Sequence, residues 1–138
     1  VKVLWWLEAV SGILASVSGG AVLVYYATVP TFTFGTCHGQ PPVCTTGVTT
    51  LLQLEGSGAP GFFGIFALLL LGIGVAAIWH SRTRQHRARS VLWGMTALYA
   101  IFSLLLSLDI SRPLLLLGVG FALVACVCSL GWRRTLAA

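Results

Sequence analysis

Four long apolar stretches divide the chain. They run from residue 3 to about 29, broken only by Glu8, then from 61 to 79, from 91 to 108 and from 113 to 132. A helix that crosses the hydrocarbon of a bilayer takes about 20 such residues. Inside hydrocarbon every backbone N–H and C=O must find its partner within the segment, so each stretch is predicted to be helical. Ser111 and Pro113 suit the start of the last helix, because proline lacks only a donor that the first turn leaves unused. The first stretch is too long for the apolar part of a secretory leader, and Ala27-Thr28-Val29-Pro30 makes a poor cleavage site, so it reads as a retained helix.

Between the first two stretches the pattern changes. Residues 30–60 carry no Lys or Arg, are rich in Thr and Gly, and hold Pro30, Pro41, Pro42 and Pro60. Thr31-Phe32-Thr33-Phe34 alternates polar and apolar, as a short strand does. Cys37 and Cys44 bracket the turn-forming stretch His38-Gly39-Gln40-Pro41-Pro42-Val43. In an oxidising space two such cysteines pair, which predicts a small hairpin pinned by a disulfide. Residues 48–54 are apolar enough for a short helix lying on a membrane surface. The connection 108–112 is very short, so the third and fourth helices should be antiparallel neighbours.

Composition supports a lipid environment. Charged residues make up 8% of the 138 positions and hydrophobic ones 57%, and the mean hydropathy is +0.95. A soluble domain carries about 25% charged residues, because its surface must be wetted. The length suits a single unit over residues 1–138, with no room for a separate soluble domain. The expected fold is therefore an all-α integral membrane protein: a four-transmembrane-helix bundle with a disulfide-pinned outer loop.

The net charge of +5 adds a direction. Lys2 precedes the first stretch. Arg82, Arg84, Arg87 and Arg89 lie in a basic loop expected over residues 80–90, and Arg133 and Arg134 follow the fourth stretch. Four crossings put all of these on one side, leaving Arg112 alone of the eight Lys and Arg residues opposite. Cytoplasmic segments carry such an excess, so both termini are predicted to be cytoplasmic. The tryptophans at 5, 6, 79, 93 and 132 fall near the same ends, at headgroup depth. A multi-pass protein of a bacterial cytoplasmic membrane fits these features. The basic cluster then serves topology and attracts anionic lipid headgroups, at about 1 kcal/mol per residue. Nucleic acid is not needed to explain it.

Candidate chemistry is sparse. Glu8 lies about 7 Å inside the first helix, counted from Val3, and an ionisable group there is costly enough to suggest function. It pairs with Arg133, Arg134 or an inner-loop arginine, or else acts as a protonatable site. Steps of four put Glu8 in line with Gly12, Ser16 and Gly20. Similar stripes run along Gly64, Gly72 and Ala76, and along Gly118, Ala122 and Cys126. Small side chains let helices approach closely, which drives association in lipid. Cys126 and Cys128, two residues apart on a helix, point about 200° apart and cannot form a helical redox pair. They read as buried apolar thiols. His38, His80 and His86 sit on two sides of the membrane, so neither a haem nor a metal site is expected.

Glu8, Glu55 and Asp109 are the only acids and are widely separated, which points away from an enzyme. No cofactor is called for. The leading expectation is an accessory or structural membrane protein that packs, through its small-residue faces, against copies of itself or a larger membrane complex. The alternatives are a small oligomeric transporter or channel using Glu8, and a thiol-redox protein using Cys37 and Cys44.

Overall fold

The computed structural model describes residues 2–30, 32–50, 53, 56–110 and 116–137, with the side chains of 32, 107–110 and 132–137 outside the description. The chain is mostly helical. Its elements are helix α1 (Lys2–Thr28), strands β1 (Phe32–His38) and β2 (Val43–Thr49), then helices α2 (Ala59–Thr83), α3 (His86–Ile110) and α4 (Leu116–Ala137). Among the described residues three helical stretches, Lys2–Thr28, Gly56–Thr83 and His86–Leu106, are long and apolar enough to cross a membrane. Leu116–Gly131 is a shorter apolar helix. The earlier part of the expected fourth stretch, 113–115, lies outside the described residues.

Local chemistry explains the element ends. A 3₁₀ turn, Gly56–Gly58, leads into α2, whose first turn holds Pro60, where a missing donor costs nothing. At the other end α2 stops at Arg84, which takes a left-handed conformation (φ 56°, ψ 22°) and donates its backbone N–H to the His80 carbonyl at 2.8 Å. This caps a free carbonyl of the last turn. The expected basic loop over 80–90 is accordingly reduced to Arg84 and Gln85, because His80–Thr83 complete α2 and α3 opens at His86. Arginine, glutamine and alanine are good helix formers, so polarity alone does not make this stretch a loop.

The hairpin turns at Gly39–Pro42, where Gly39 supplies the positive φ of 88°. Strands β1 and β2 are antiparallel with Cys37 opposite Cys44, and these two are joined by a disulfide. Thr36 and Thr45 share a hydroxyl hydrogen bond at 3.0 Å. The Phe34 ring lies over Gly47, where a Cβ would stand 2.5 Å from it. Val48 and Thr49 complete β2, so the helix expected over 48–54 does not begin there. Pairing with Thr33 and Phe32 satisfies their backbone groups instead. Residues 51, 52, 54 and 55 lie outside the described set.

The four helices close a ring in chain order. Each packs on the next, α4 returns against α1, and α2 touches α4 only slightly across the diagonal. Contacts near both ends show that neighbours are antiparallel. Glu8 near the start of α1 meets His80 near the end of α2, and Gly131 near the end of α4 meets Leu4. Both ends of the chain and the Arg84 turn therefore share one end of the bundle. The hairpin leaves from the other.

Tyr99 of α3 occupies the middle and is fully buried. Its ring meets Phe66 of α2 edge-on at 5.9 Å. Its hydroxyl comes so close to Gly118 of α4 and Gly19 of α1 that an added Cβ would lie 2.7 and 3.0 Å away. One side chain thus touches all three other helices. Outside, the helices present large apolar groups along their length, including Val17, Leu68, Val75, Ile101 and Val127.

Candidate functional site

The register of α1 against α2 places the most polar feature of the interior. Going up α1 and down α2, Glu8 meets His80, Gly12 meets Ala77, Ser16 meets Gly74, and Gly19 meets Leu70. At Gly12 the backbones come so close that a Cβ would fall inside 3.0 Å of the Ala77 Cβ. The Ser16 hydroxyl donates to the Leu70 carbonyl at 2.6 Å. This close approach carries Glu8 and His80 to each other. The Glu8 Oε1 and His80 Nδ1 lie 2.6 Å apart, with the carboxylate at 0% exposure and the imidazole at 4%. Ser11, also buried, donates to the carbonyls of Leu7 and Glu8.

A carboxylate removed from water costs several kcal/mol unless it is paired and hydrogen-bonded. An imidazole meets that need in either charge state: as imidazolium it forms an ion pair, and as neutral imidazole with its Nδ1 protonated it donates a hydrogen bond. Two groups that can share a proton thus face each other inside the bundle. From the sequence, arginines are the expected partners of Glu8, and His80 belongs to the expected basic loop over residues 80–90. The missed signal is that His80 directly follows Trp79 within one unbroken helix. The side chains of Arg133 and Arg134 lie outside the described set.

A second polar layer joins α3 and α4 at the same end. The Cys126 thiol donates to the Thr96 hydroxyl at 3.4 Å, the Ser129 hydroxyl donates to the Cys126 carbonyl at 2.6 Å, and the Trp93 indole N–H reaches Ser129 at 3.3 Å. Cys126 and Cys128 are both buried and free. They lie on α4, while the Cys37–Cys44 bond sits in the hairpin that leaves from the opposite end of the bundle. The structure does not bring the two cysteine pairs together.

The small residues divide into two groups. Gly12, Gly19, Gly74 and Gly118 are filled by neighbouring helices, Gly72 faces Met95, and Ala122 is fully buried. Around Gly20, Gly64, Gly94 and Gly120 nothing lies within 4 Å of an added Cβ. Steps of four residues turn about 400° on a helix, so such a line drifts about 40° each time. By Gly20 the line from Glu8 has swung well off the buried face, which instead follows Gly12, Ala15, Gly19, Leu23 and Tyr26. Gly20 rims an open apolar groove of about 330 Å³ between α1 and α2, floored by Leu23, Phe63 and Leu70. The α2 line swings the same way, leaving Gly64 outside while Ala76 is buried.

Arg82, Arg84 and Arg87 are exposed and Arg89 is half-buried, all at the end that holds Lys2. Among the described residues no three His, Cys, Asp or Glu side chains converge as metal ligands. His38 is exposed on the hairpin, and Glu55 is outside the described residues. No protein-family model, curated protein or solved structure matches this chain.

Proposed function

We propose that this chain is a small integral membrane protein, four-spanning with both termini cytoplasmic, that acts as an accessory or structural component by packing laterally in the bilayer. The apolar exterior of the bundle supports the membrane reading, since Leu68 is 70% exposed, Val75 64% and Val127 63%, a surface that water would penalise. Grouping of the Arg84 turn with both chain ends is consistent with the cytoplasmic excess of Lys and Arg. The observation that carries the accessory role is the second set of small residues. Gly64, Gly94 and Gly120 lie on outward faces of α2, α3 and α4 with open space beyond them, where another helix can approach closely. That partner is a second copy of this chain or a subunit of a larger complex. Purification in a gentle detergent tests the role. Co-purification or a dimer that Gly64→Leu or Gly94→Leu disrupts is expected, and a strictly monomeric, partner-free particle counts against it.

A second reading is favoured by the Glu8–His80 pair: a proton-coupled carrier or channel in which this pair takes up and releases one proton. Glu8→Gln should then abolish proton-coupled flux in liposomes. Flux that is unchanged, or absent from the parent protein, removes the idea. The thiol-redox reading has less support, because the free thiols lie on α4 and not beside Cys37–Cys44.

A further inference from the structure

Three hydroxyl side chains lie between residues 80 and 90, and their surroundings differ. Ser81 is buried and donates to the Ile78 carbonyl at 2.8 Å. Thr83 is exposed, but its hydroxyl donates to the Trp79 carbonyl at 2.8 Å. The residue three places before it is His80, buried against Glu8. Ser90 is exposed and closes the run Arg87-Ala88-Arg89-Ser90, with an arginine three places before it. A serine inside a helix can turn its hydroxyl back onto the carbonyl four residues earlier. The Ser90 hydroxyl lies beside the exposed His86 ring instead, 3.4 Å from its Nδ1.

Its place on α3 turns Ser90 away from the bundle. The buried line of that helix runs through Ala88, Leu92, Thr96, Tyr99 and Ser103. At about 100° per residue, Ser90 points about 160° from the middle of that line. It shares its face with Gly94, Ala97 and Ile101, all exposed. The hydroxyl also sits where the helix opens most readily. Ser90 is the fifth residue of α3, and Arg84 and Gln85, just before that helix, are not helical. From His86 to Ser90 only Ala88 is buried. A helix end with so few buried contacts unwinds at little cost, which suits an enzyme that reads an extended segment.

We infer that Ser90 is a phosphate-acceptor site for a serine/threonine protein kinase that selects arginine three residues before the hydroxyl. An acidic subsite on such an enzyme pairs with the Arg87 guanidinium, and charge patterns of this kind set substrate choice. The Ser90 Oγ bonds to the γ-phosphorus of ATP as the bond from that phosphorus to the β,γ-bridging oxygen breaks. The hydroxyl proton passes to a carboxylate of the kinase, and ADP leaves. The product fits its place. Negative charge near the start of a helix is favoured by the helix dipole, and His86 and Arg87, four and three residues earlier, flank the phosphate on one face. It adds about −1.5 to −2 charges to a segment whose basic groups attract anionic headgroups, and so loosens that attraction. The inference rests on the reading that this end of the bundle is cytoplasmic.

Membrane vesicles carrying the full chain test it, in right-side-out and inverted orientations, with a kinase of that selectivity and ATP supplied from outside. Peptide mass mapping should place a phosphate on Ser90 in inverted vesicles and none in right-side-out ones. Arg87→Gln should lower the initial rate about tenfold, as loss of a charge-assisted hydrogen bond does, and Arg89→Gln should lower it much less. Ser90→Ala should abolish the label. All three positions lie outside the fully buried core, so parental far-UV dichroism is expected for each variant. No phosphate on Ser90 in either orientation, labelling of Thr83 in its place, or an unchanged rate in Arg87→Gln overturns the site. Phosphate on Ser90 in right-side-out vesicles alone overturns instead the orientation on which the inference rests.

Discussion

Gly12→Ala is the smallest change that should pull the bundle apart. The added methyl falls inside 3.0 Å of the Ala77 Cβ, whereas carbon atoms in contact settle at about 3.5–4.0 Å. Neither methyl has a rotamer through which to escape, so α1 and α2 must separate by roughly 1 Å. Overpacking of this kind costs about 1–3 kcal/mol. The same shift stretches two short hydrogen bonds that flank the contact, Ser16 to the Leu70 carbonyl and Glu8 to His80, each at 2.6 Å. Weakening them adds about 1 kcal/mol, for an expected total of about 3 kcal/mol.

Gly64→Ala is the matched control, because nothing lies within 4 Å of its added Cβ, and a substitution without such a conflict stays within about 0.5 kcal/mol. Unfolding by SDS titration in mixed micelles, followed by tryptophan fluorescence, gives both values. A rescue sharpens the test: adding Ala77→Gly to Gly12→Ala should recover most of the loss, since the two sites are coupled through one contact. A Gly12→Ala protein as stable as the parent, or a Gly64→Ala protein equally damaged, would refute the placement of the α1–α2 interface.

Three further outcomes follow from named contacts. Glu8→Ala strands the His80 imidazole in the interior and should cost about 3 kcal/mol, whereas Glu8→Gln retains a hydrogen-bonding group and should cost about 1 kcal/mol; equal losses in SDS titration would contradict a direct pair. Replacing Cys37 and Cys44 by serine opens a covalent loop of sequence separation 7. On the chain-entropy model, whose mechanism is disputed, the loss is about 2.5 kcal/mol; protease should then cut between residues 32 and 49 while the helical far-UV signal persists, and a hairpin equally resistant after reduction would speak against it. Arg84→Gly relieves the left-handed turn and should stabilise the bundle by about 1 kcal/mol in SDS titration; destabilisation would show that the arginine side chain contributes to folding.

Much of the architecture was legible along the chain because solvent preference is local. Whether a residue prefers hydrocarbon or water depends on its own side chain, so runs of Leu, Val, Ile and Phe announce the helices before any contact is known. The Thr-Phe alternation and the Cys37-x6-Cys44 spacing announced the hairpin for the same reason, since turn and strand preferences act over a few residues. Short connections then made antiparallel neighbours the natural arrangement. The loop expected over 80–90 went astray because polarity reports the solvent, while backbone conformation follows helix propensity.

The contacts themselves needed the folded chain. Glu8 was visible as a costly residue, but His80 stands 72 positions later, and only the depth at which α1 slides against α2 brings the two together. Which glycines face inward depends on the rotation of each helix about its axis. A line of small residues at steps of four cannot show it, because it drifts about 40° at each step. Tyr99 looks like any other residue of an apolar run, and it becomes the centre only when Gly19, Gly118 and Phe66 converge on it. Apolarity is a property of single residues, and the chain displays it directly; register and rotation are set jointly by four helices packing at once.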